Sequence, residues 1–587
     1  MKARFPVLAL LILAAAAPAQ QALGAFRLPP GGELAPVHAA HGMVASSNAL
    51  ASAAGVEVMK EGGNAIDAAV ATGFALAVVH PQAGNLGGGG FMLVRLHDGT
   101  THFIDFRETA PGKATATMYQ DASGNVIPDL STVGYKAIGV PGSVKGLVYA
   151  ERHFGKLGLA RVMAPAIRLA REGYPLSYGD ARLLDSSTRL AQFPDSRRIF
   201  QNNGKDDWHP GDLFRQPQLA RTLERIERNP DTLYTGDMAR QLAGFIQKGG
   251  GLITPKDLAD YRVIDRKPVT GTYRGLTIIS APPPSSGGIV LIELLNILEG
   301  YDLKSAGPDS AASIHLITEA YRRAFFDRAE FLGDPAYTDS PMLLLMDKRY
   351  AAAWRSSILP EEATPSLSLQ RPTTFPQLTR YAAAHPILKP GPESHQTTHY
   401  SVVDASGDAV SVTTTLNAWY GSGVTAGDLG FLLNDEMDDF AAKVGVPNMF
   451  GVLQGSANAV GPGKRPLSSM TPTMVLKNGK LWLVLGSPGG PTIITTVANI
   501  LIDAADYGFN IQQAVSAPRF HQQWLPDEIL MEPDRFSPDT LRLLEGHGYR
   551  IDYGDRGDAE CVAVDPATGE LLGASDPRTE TARAMGY

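Results

Sequence analysis

Gln396-Thr397-Thr398-His399-Tyr400-Ser401-Val402-Val403-Asp404 is a threonine pair that opens a β-rich run, directly after a proline-rich tract at residues 372–396. A free α-amine titrates at about 7.7–8.0, so a threonine at a chain terminus carries its own base beside its hydroxyl. While Thr397 is joined to Gln396, its nitrogen is an amide and cannot act as a base. Cutting the bond between Gln396 and Thr397 would therefore create a catalyst. The same stretch is also compatible with an ordinary edge strand whose threonines only satisfy β-propensity.

Residues 399–417 have the pattern of a β-hairpin. Because side chains alternate along a strand, one face of the second strand is apolar and directed to the core, and the other is a row of small groups that leaves room for a ligand. The small row is Ala409, Ser411, Thr413, Thr415 and Asn417; the apolar row is Val410, Val412, Thr414 and Leu416. A five-residue connection would place Thr397 opposite Thr415, and a four-residue connection would place Thr398 there. The hairpin pattern leaves both threonines open as candidates.

The rest of the chain alternates between helical and strand-like segments. Two helices are predicted within residues 46–79, separated by Gly62-Gly63-Asn64. Further helices are predicted at residues 153–172, 215–248, 288–298, 310–332, 493–507 and 538–546, and further strands at 91–105, 270–280, 473–477 and 481–485. Helices flank two groups of strands, so the sequence predicts mixed α/β (α+β) layers rather than a regular βαβ alternation.

Composition and charge limit the class of protein. The 587 residues are 44% hydrophobic, with a formal net charge of −8 and no block of Lys or Arg, so a nucleic-acid partner is not expected. Lys2 and Arg4 precede a short apolar stretch at residues 5–16, which predicts a signal peptide at residues 1–25, cut after Ala19 or Ala25. We therefore expect a periplasmic or secreted protein without a membrane span. The single cysteine, at position 561, excludes an intrachain disulfide and a Cys-based zinc site.

An acidic cluster, Asn434-Asp435-Glu436-Met437-Asp438-Asp439, follows an apolar strand. At turn or helical spacing, Glu436 and Asp439 lie on the same side. Two such carboxylates can hold an ammonium group through charge-assisted hydrogen bonds. A solvated acidic turn and a calcium site are the alternatives, although the EF-hand order and its central glycine are missing.

The segment Gly486-Ser487-Pro488-Gly489-Gly490-Pro491 lies between a strand and a helix. Glycines in this position let successive backbone N–H groups point at an oxyanion. The loop lacks the lysine of a P-loop, so nucleotide binding is disfavoured. A plain strand-to-helix turn would show the same residues.

Three further residues are candidates for binding a carboxylate. Arg107 follows a strand and could clamp a carboxylate in bidentate fashion, or pair locally with Glu108 or Asp105. Ser468 and Ser469 could add hydroxyl donors to the same anion. The thirteen histidines form no H-E-x-x-H pattern, and the G-x-S-x-G elbow of a serine hydrolase is missing.

Taken together, these segments resemble γ-glutamyltransferase (γ-glutamyl transpeptidase), a family of N-terminal nucleophile hydrolases, over residues 42–587. The resemblance is carried by G-N-L-G-G-G-G-F-M at 84–92, D-F-R-E-T-A-P at 105–111, Q-T-T-H-Y-S-V-V-D at 396–404, R-P-L-S-S-M at 465–470 and G-S-P-G-G at 486–490. It implies a four-layer αββα sandwich in which a large subunit, residues 26–396, and a small subunit, residues 397–587, form one domain. The precursor would cut itself between Gln396 and Thr397.

The resemblance also implies a role for each candidate residue. Thr397 would be the nucleophile, Thr415 would tune its hydroxyl, and Gly489 and Gly490 would supply the oxyanion N–H groups. The α-amino end of a γ-glutamyl group would be held by Asn417, Glu436 and Asp439, and its α-carboxylate by Arg107, Ser468 and Ser469. Phe450, where relatives often carry Tyr, would belong to a lid over the site. Neither a metal nor an organic cofactor would be required.

The implied activity is transfer of the γ-glutamyl group of glutathione and related compounds to water or to amino acids and peptides. Glutaryl-cephalosporin acylases, which use the same machinery on a side chain lacking the α-amine, are the alternative within the fold. A non-enzymatic exported binding protein that keeps the pocket and does not mature is an alternative from another class.

Overall fold

The structure is a computed structural model that describes residues 35–379, 397–554 and 557–587. Two seven-stranded antiparallel sheets lie face to face at its centre. The signal peptide, residues 1–25, and Gln396 lie outside the described residues. None of the helices in the described residues is long and apolar enough to cross a bilayer.

The first sheet contains the hairpin that begins after Thr397. From edge to edge, its strands are Arg583–Gly586, Gly42–Ser46, Thr398–Asp404, Ala409–Thr415, Gly89–Arg95, Thr101–Asp105 and Ile264–Arg266. Strands from before and after position 397 are therefore interleaved within one hydrogen-bonded sheet.

The second sheet carries the strand that leads into the glycine-rich loop. Its strands, in order, are Val37–Ala39, Leu571–Ala574, Cys561–Val564, Lys480–Leu485, Thr473–Lys477, Leu276–Ser280 and Val269–Tyr273. Apolar side chains from both sheets, including Met43, Phe91, Met474 and Val562, form a shared core between them.

Helices cover the outer face of each sheet. On the first sheet they are Ala49–Lys60, Ala65–Val79, Ser143–Phe154, Leu159–Glu172, Tyr178–Ser186, Thr188–Ala191, Pro194–Phe200, Pro217–Arg228, Asp237–Lys248 and Pro255–Asp260. On the second they are Gly287–Leu298, Leu303–Ala306, Ala311–Phe331, Met342–Leu345, Lys348–Arg355, Pro376–Thr379, Thr492–Ile502, Ile511–Ser516 and Pro538–Gly546. The predicted mixed α/β fold with αββα layers is confirmed.

Two predicted helices are each interrupted. The segment predicted at residues 153–172 is two helices, because Gly155 ends the first and Gly158, at φ +81°, precedes the second. The segment predicted at 215–248 breaks where Asn229 ends Pro217–Arg228 and Pro230 opens a 3₁₀ turn. In both places a residue poorly suited to the interior of a helix stops the amphipathic pattern.

The remaining elements are short. Small sheets join Phe520–His521, Ile529–Met531 and Ile551–Tyr553, and Tyr174–Pro175 with Leu213–Phe214. The 3₁₀ turns are Tyr135–Ala137, Asn202–Gly204, Pro230–Leu233, Ser366–Ser368, Gly427–Leu429, Glu436–Asp439 and Ser456–Asn458, and a π-helical turn spans Asp503–Tyr507.

Candidate functional site

The hairpin register places Thr397 opposite Thr415. Val403 pairs with Ala409, so the connection has five residues. The Oγ1 atoms of Thr397 and Thr415 are 3.2 Å apart. Thr398 points to the other side of the sheet, where its hydroxyl lies 3.0 Å from that of Ser47. The hairpin register therefore places Thr397, and not Thr398, beside Thr415.

The small-residue face of the second strand is not an open groove. Ser411 donates a hydrogen bond across to the carbonyl of Leu485 in the second sheet, and Thr413 contacts His399 Nδ1 at 2.9 Å. The prediction that the whole row leaves room for a ligand is therefore wrong, because the second sheet packs on most of it. Within that row, Thr415 and Asn417 reach a cavity.

His399, two residues from the candidate nucleophile, is not placed to serve as its base. Its Nδ1 lies 2.9 Å from Thr413 Oγ1 and its Nε2 lies 3.1 Å from Ser401 Oγ, so both ring nitrogens have partners between the sheets. Burial lowers the pKa of His399 to about 3, which keeps the imidazole neutral. This leaves the α-amine that scission would create at Thr397 as the candidate base.

The candidate residues converge on one small cavity of about 30 Å³, room for a water molecule or two. Its walls combine a hydroxyl pair, carboxylates, an amide, serines and a glycine. The predicted residues that line it are Thr397, Thr415, Asn417, Glu436, Asp439, Phe450, Ser468, Ser469 and Gly490. Gly489 lies next to the lining in sequence, and Arg107 contacts two of its carboxylates from behind.

The glycine-rich loop adopts backbone conformations that favour glycine. Gly489 has φ +129° and Gly490 has φ +56°, and the helix Thr492–Ile502 begins two residues later. Within the described residues, neither backbone N–H donates a hydrogen bond. Both N–H groups are therefore without an acceptor in this part of the chain.

Glu436 and Asp439 lie on one side of the 3₁₀ turn Glu436–Asp439, as the spacing predicts. Both accept hydrogen bonds from the guanidinium of Arg107, which also donates to the carbonyls of Pro466 and Leu467. Arg107 is fully buried, and these two carboxylates raise its pKa. The ion pairs expected of Arg107 with Glu108 or Asp105 are thus not its main contacts.

Burial raises the pKa of Glu436 well above its usual range, although Arg107 opposes the shift. Glu436 Oε1 faces Arg107, and Oε2 has no hydrogen-bond partner among the described residues. Asn417 donates through Nδ2 to the carbonyl of Asp435 and so keeps its Oδ1 as an acceptor. Acceptor oxygens on Glu436, Asp439 and Asn417 therefore suit an ammonium group.

The other two carboxylates of the acidic cluster have structural partners. Asp435 accepts from Arg189 and from the N–H of Ala418, and Asp438 accepts from Ser131 and from the N–H of Met449. Within the part of the chain that the structure describes, no group of three or more His, Cys, Asp or Glu side chains could hold a metal ion.

Phe450 forms part of the cavity wall, against the glycine-rich loop. A Cβ added at Gly490 would lie 3.0 Å from its ring. The carbonyl of Phe450 accepts from Gln523, and its N–H donates to Asn448 Oδ1. The cavity has room for little more than water, and Phe450 is one of the residues that bound it.

Sequence reasoning missed Arg328, whose guanidinium lines the cavity beside the two serines. Its Nη2 donates to Ser469 Oγ at 3.0 Å and its Nε donates to Ser286 Oγ at 2.9 Å. Burial lowers the pKa of Arg328 to about 10, so it stays charged at neutral pH. A signal was present, since Arg328 continues the apolar stripe of Ile314, Ile317, Tyr321 and Phe325 on the helix Ala311–Phe331.

Comparisons with known proteins agree over most of the chain. The family model described as gamma-glutamyltranspeptidase matches residues 51–586. Over 558 residues the chain is 48% identical to the glutathione hydrolase proenzyme of Escherichia coli (strain K12), which covers 94% of this chain and 93% of that protein.

Two solved structures show the same architecture. The crystal structure of a cephalosporin acylase from Bacillus halodurans matches with a TM-score of 0.81 at 28% identity, covering 96% of this chain and 98% of that one. The structure of Helicobacter pylori gamma-glutamyltranspeptidase matches with a TM-score of 0.55 at 44% identity, covering 58% of this chain and 97% of that one.

Proposed function

Because this chain belongs to the γ-glutamyltranspeptidase family, we propose that it is a γ-glutamyl hydrolase and transpeptidase acting on glutathione and related compounds. The observation that carries the proposal is the Thr397–Thr415 hydroxyl contact of 3.2 Å inside a cavity that also holds Gly490, Glu436 and Asp439. A nucleophile, an oxyanion site and an ammonium site are thus within reach of one small acyl group.

Maturation would start from the same hydroxyl. Thr397 Oγ1 attacks the carbonyl carbon of Gln396, the amide becomes an ester, and water releases the ester as a new carboxylate and a hydroxyl. A large subunit, residues 26–396, and a small subunit, residues 397–587, result. The new α-amine of Thr397 then serves as the base. The interleaving of strands from both sides of position 397 within one sheet supports continued association of the two subunits.

Catalysis would follow in two acyl transfers. Thr397 Oγ1 attacks the γ-amide carbonyl while its α-amine takes the hydroxyl proton, and the backbone N–H groups of Gly489 and Gly490 stabilise the oxyanion. The proton passes to the leaving amine, which departs and leaves a γ-glutamyl ester on Thr397. Water or the amine of an amino acid or peptide then attacks this ester and restores the hydroxyl.

Recognition of the γ-glutamyl group would use both ends of its amino acid. Asn417, Glu436 and Asp439 would bind the ammonium group, and Ser468 and Ser469 would donate to the carboxylate. Arg107 is proposed to act on the same carboxylate. Its present contacts with Glu436 and Asp439 mean that one of these would have to be exchanged.

An acylase preferring a glutaryl group is the second candidate, favoured by the similarity to the cephalosporin acylase. A glutaryl group has no ammonium, so it would leave Glu436 Oε2 without a hydrogen-bond donor. The carboxylates on the cavity wall therefore favour the γ-glutamyl group.

Export is proposed from the N-terminal pattern of Lys2, Arg4 and the apolar residues 5–16, with cleavage after Ala19 or Ala25. Sequencing the N-terminus of the purified large subunit tests this directly. A start at Met1 in exported protein would contradict the proposal.

Intact mass spectrometry of wild type beside Thr397→Ala tests the proposed maturation. We expect two chains from wild type, the shorter starting at Thr397, and one chain from the variant. Release of p-nitroaniline from γ-glutamyl and glutaryl p-nitroanilides then separates the two candidate activities. Two chains from both proteins would assign the cut to an outside protease, and faster release from the glutaryl compound would favour the acylase.

A further inference from the structure

Seven arginines are buried in the described residues, and six of them have a carboxylate partner within 4.0 Å. The paired ones are Arg107, Arg322, Arg323, Arg371, Arg465 and Arg519. Arg328 is the exception in the described part of the chain. It is 3% exposed, and its Nη1 has no hydrogen-bond partner. A desolvated charge without a counter-ion is strongly unfavourable, so a site of this kind is suited to binding an anion.

Arg328, whose Nη1 has no hydrogen-bond partner, belongs to the cavity that contains Thr397. It lines that cavity together with Ser468, Ser469, Glu436 and Asp439. Asp439 is close enough to raise the pKa of Arg328, yet it forms its ion pair with Arg107 instead. We therefore expect the anionic partner of Arg328 to come from a ligand.

The charges around the cavity indicate what kind of ligand fits. Glu436 and Asp439 contribute two negative charges when ionised, and Arg107 behind them contributes one positive charge. Arg328 adds a second positive charge, and Glu108, 3.9 Å from Arg107 Nη1, is a further carboxylate whose pKa is raised by burial. A zwitterion, which carries one carboxylate and one ammonium group, adds no net charge to this set and can pair each of its charges with an opposite one.

Arg328 also orients both serines. Ser469 Oγ accepts from Arg328 Nη2, which leaves the Ser469 hydroxyl proton free to be donated to a ligand. Ser286 accepts from Arg328 Nε and donates to the carbonyl of Ser468, so the same guanidinium is connected to the backbone of the second serine. Arg328 is thus linked to both hydroxyl-bearing residues expected to meet the carboxylate.

We propose that Arg328 binds the carboxylate of the γ-glutamyl group together with Ser469, which it also positions, and so determines specificity for acyl groups that carry an α-carboxylate. This inference rests on the proposed function and assigns a residue within that same site. Arginine suits the task because its planar donors match a carboxylate.

The test uses mature enzyme, one substrate, and two inhibitors that each lack one charged group of glutamate. γ-Glutamyl p-nitroanilide has both charges and serves as substrate. Glutarate, with the carboxylate and no amine, and 4-aminobutyrate, with the amine and no second carboxylate, serve as competing inhibitors. Release of p-nitroaniline by wild type tests the proposed function, and the comparison of variants tests the role of Arg328.

For Arg328→Gln we expect KM for the anilide and the inhibition constant of glutarate to rise about 10- to 100-fold, the loss typical of a charge-assisted hydrogen bond. The inhibition constant of 4-aminobutyrate should change less than about threefold, because its amine is bound elsewhere. Arg328→Lys keeps the charge and loses the planar set of donors. It should therefore raise KM for the anilide and the inhibition constant of glutarate by a smaller factor, again with little change for 4-aminobutyrate.

Arg371→Gln is the matched control, since Arg371 is buried against Asp327 and Glu330 and does not line the cavity. It should lower thermal stability and leave the three constants unchanged. If both Arg328 variants weakened the binding of all three ligands equally, Arg328 would have a merely structural role and the proposal would be overturned. Unchanged constants in Arg328→Gln would overturn it as well.

Discussion

Replacing Thr415 by valine tests whether its hydroxyl tunes the nucleophile. The side chain keeps its shape but loses the oxygen that lies 3.2 Å from Thr397 Oγ1. One neutral hydrogen bond contributes about 1–1.5 kcal/mol, so kcat should fall about tenfold and self-cleavage should slow by a similar factor. The same oxygen accepts from the backbone N–H of Asn417 at 2.8 Å, and leaving that buried donor unpaired costs a further 1–3 kcal/mol or so of folding stability.

Thr415→Ser is the control, because it keeps the oxygen and removes only a methyl group. Its kcat should stay within about threefold of wild type, since the hydrogen bond is retained. Self-cleavage is followed by intact mass spectrometry over time, and kcat by p-nitroaniline release from the matured fraction. Wild-type cleavage and kcat in Thr415→Val would refute the role given to this hydroxyl.

Three further changes probe other parts of the structure. Gly490→Ala should abolish most activity, because the added Cβ in the proposed oxyanion loop would lie 3.0 Å from the Phe450 ring. Gly479→Ala is the control: its φ is +77° and nothing lies within 4 Å, so it should cost about 1 kcal/mol of stability and leave kcat unchanged. Equal kcat values for the two variants would contradict this. Arg107→Met should lower the free energy of unfolding by about 3–5 kcal/mol in denaturant titrations, because Glu436 and Asp439 lose their partner. Adding Glu436→Gln to the same chain should recover part of the lost stability. Unchanged stability in Arg107→Met would mean that Arg107 serves only the substrate. The folded-state pKa of His399, about 3, lies below its unfolded value of about 6.5, so the stability it contributes is present above pH 6.5 and is lost as the pH falls toward 3. Between pH 7 and 5, the free energy of unfolding of wild type should fall by about 2 kcal/mol more than that of His399→Gln. Parallel pH profiles would refute the assignment.

The layers of the fold follow from hydrophobic periodicity, but the hairpin register does not. Parity alone cannot distinguish a four-residue connection from a five-residue one. The longer connection forms because Asp404 Oδ1 accepts from the N–H groups of Ser406 and Asp408, while Gly407 adopts φ +87°. An Asp two residues before a Ser-Gly turn is a local signal that could have favoured this register.

The site was predictable where chemistry is local and unpredictable where it depends on packing. The i, i+3 spacing of Glu436 and Asp439 sufficed to place both on the same side of a turn. Their pairing with Arg107, more than 300 residues away, is tertiary and has no signature in either segment. For Arg328 the apolar stripe of its helix predicts burial, but only the tertiary contacts show that this arginine lacks a carboxylate partner.

The interleaving of strands from the two parts of the chain in the first sheet has a consequence for thermodynamics. Once the bond before Thr397 is cut, Gly42–Ser46 lies between Arg583–Gly586 and Thr398–Asp404, which then belong to the other polypeptide. Denaturation then releases two molecules instead of one, so the apparent free energy of unfolding falls by about 1.4 kcal/mol for each tenfold dilution, and the midpoint shifts with protein concentration. The uncut Thr397→Ala protein unfolds as a single molecule and should show no such dependence, so dilution alone distinguishes the zymogen from the mature form.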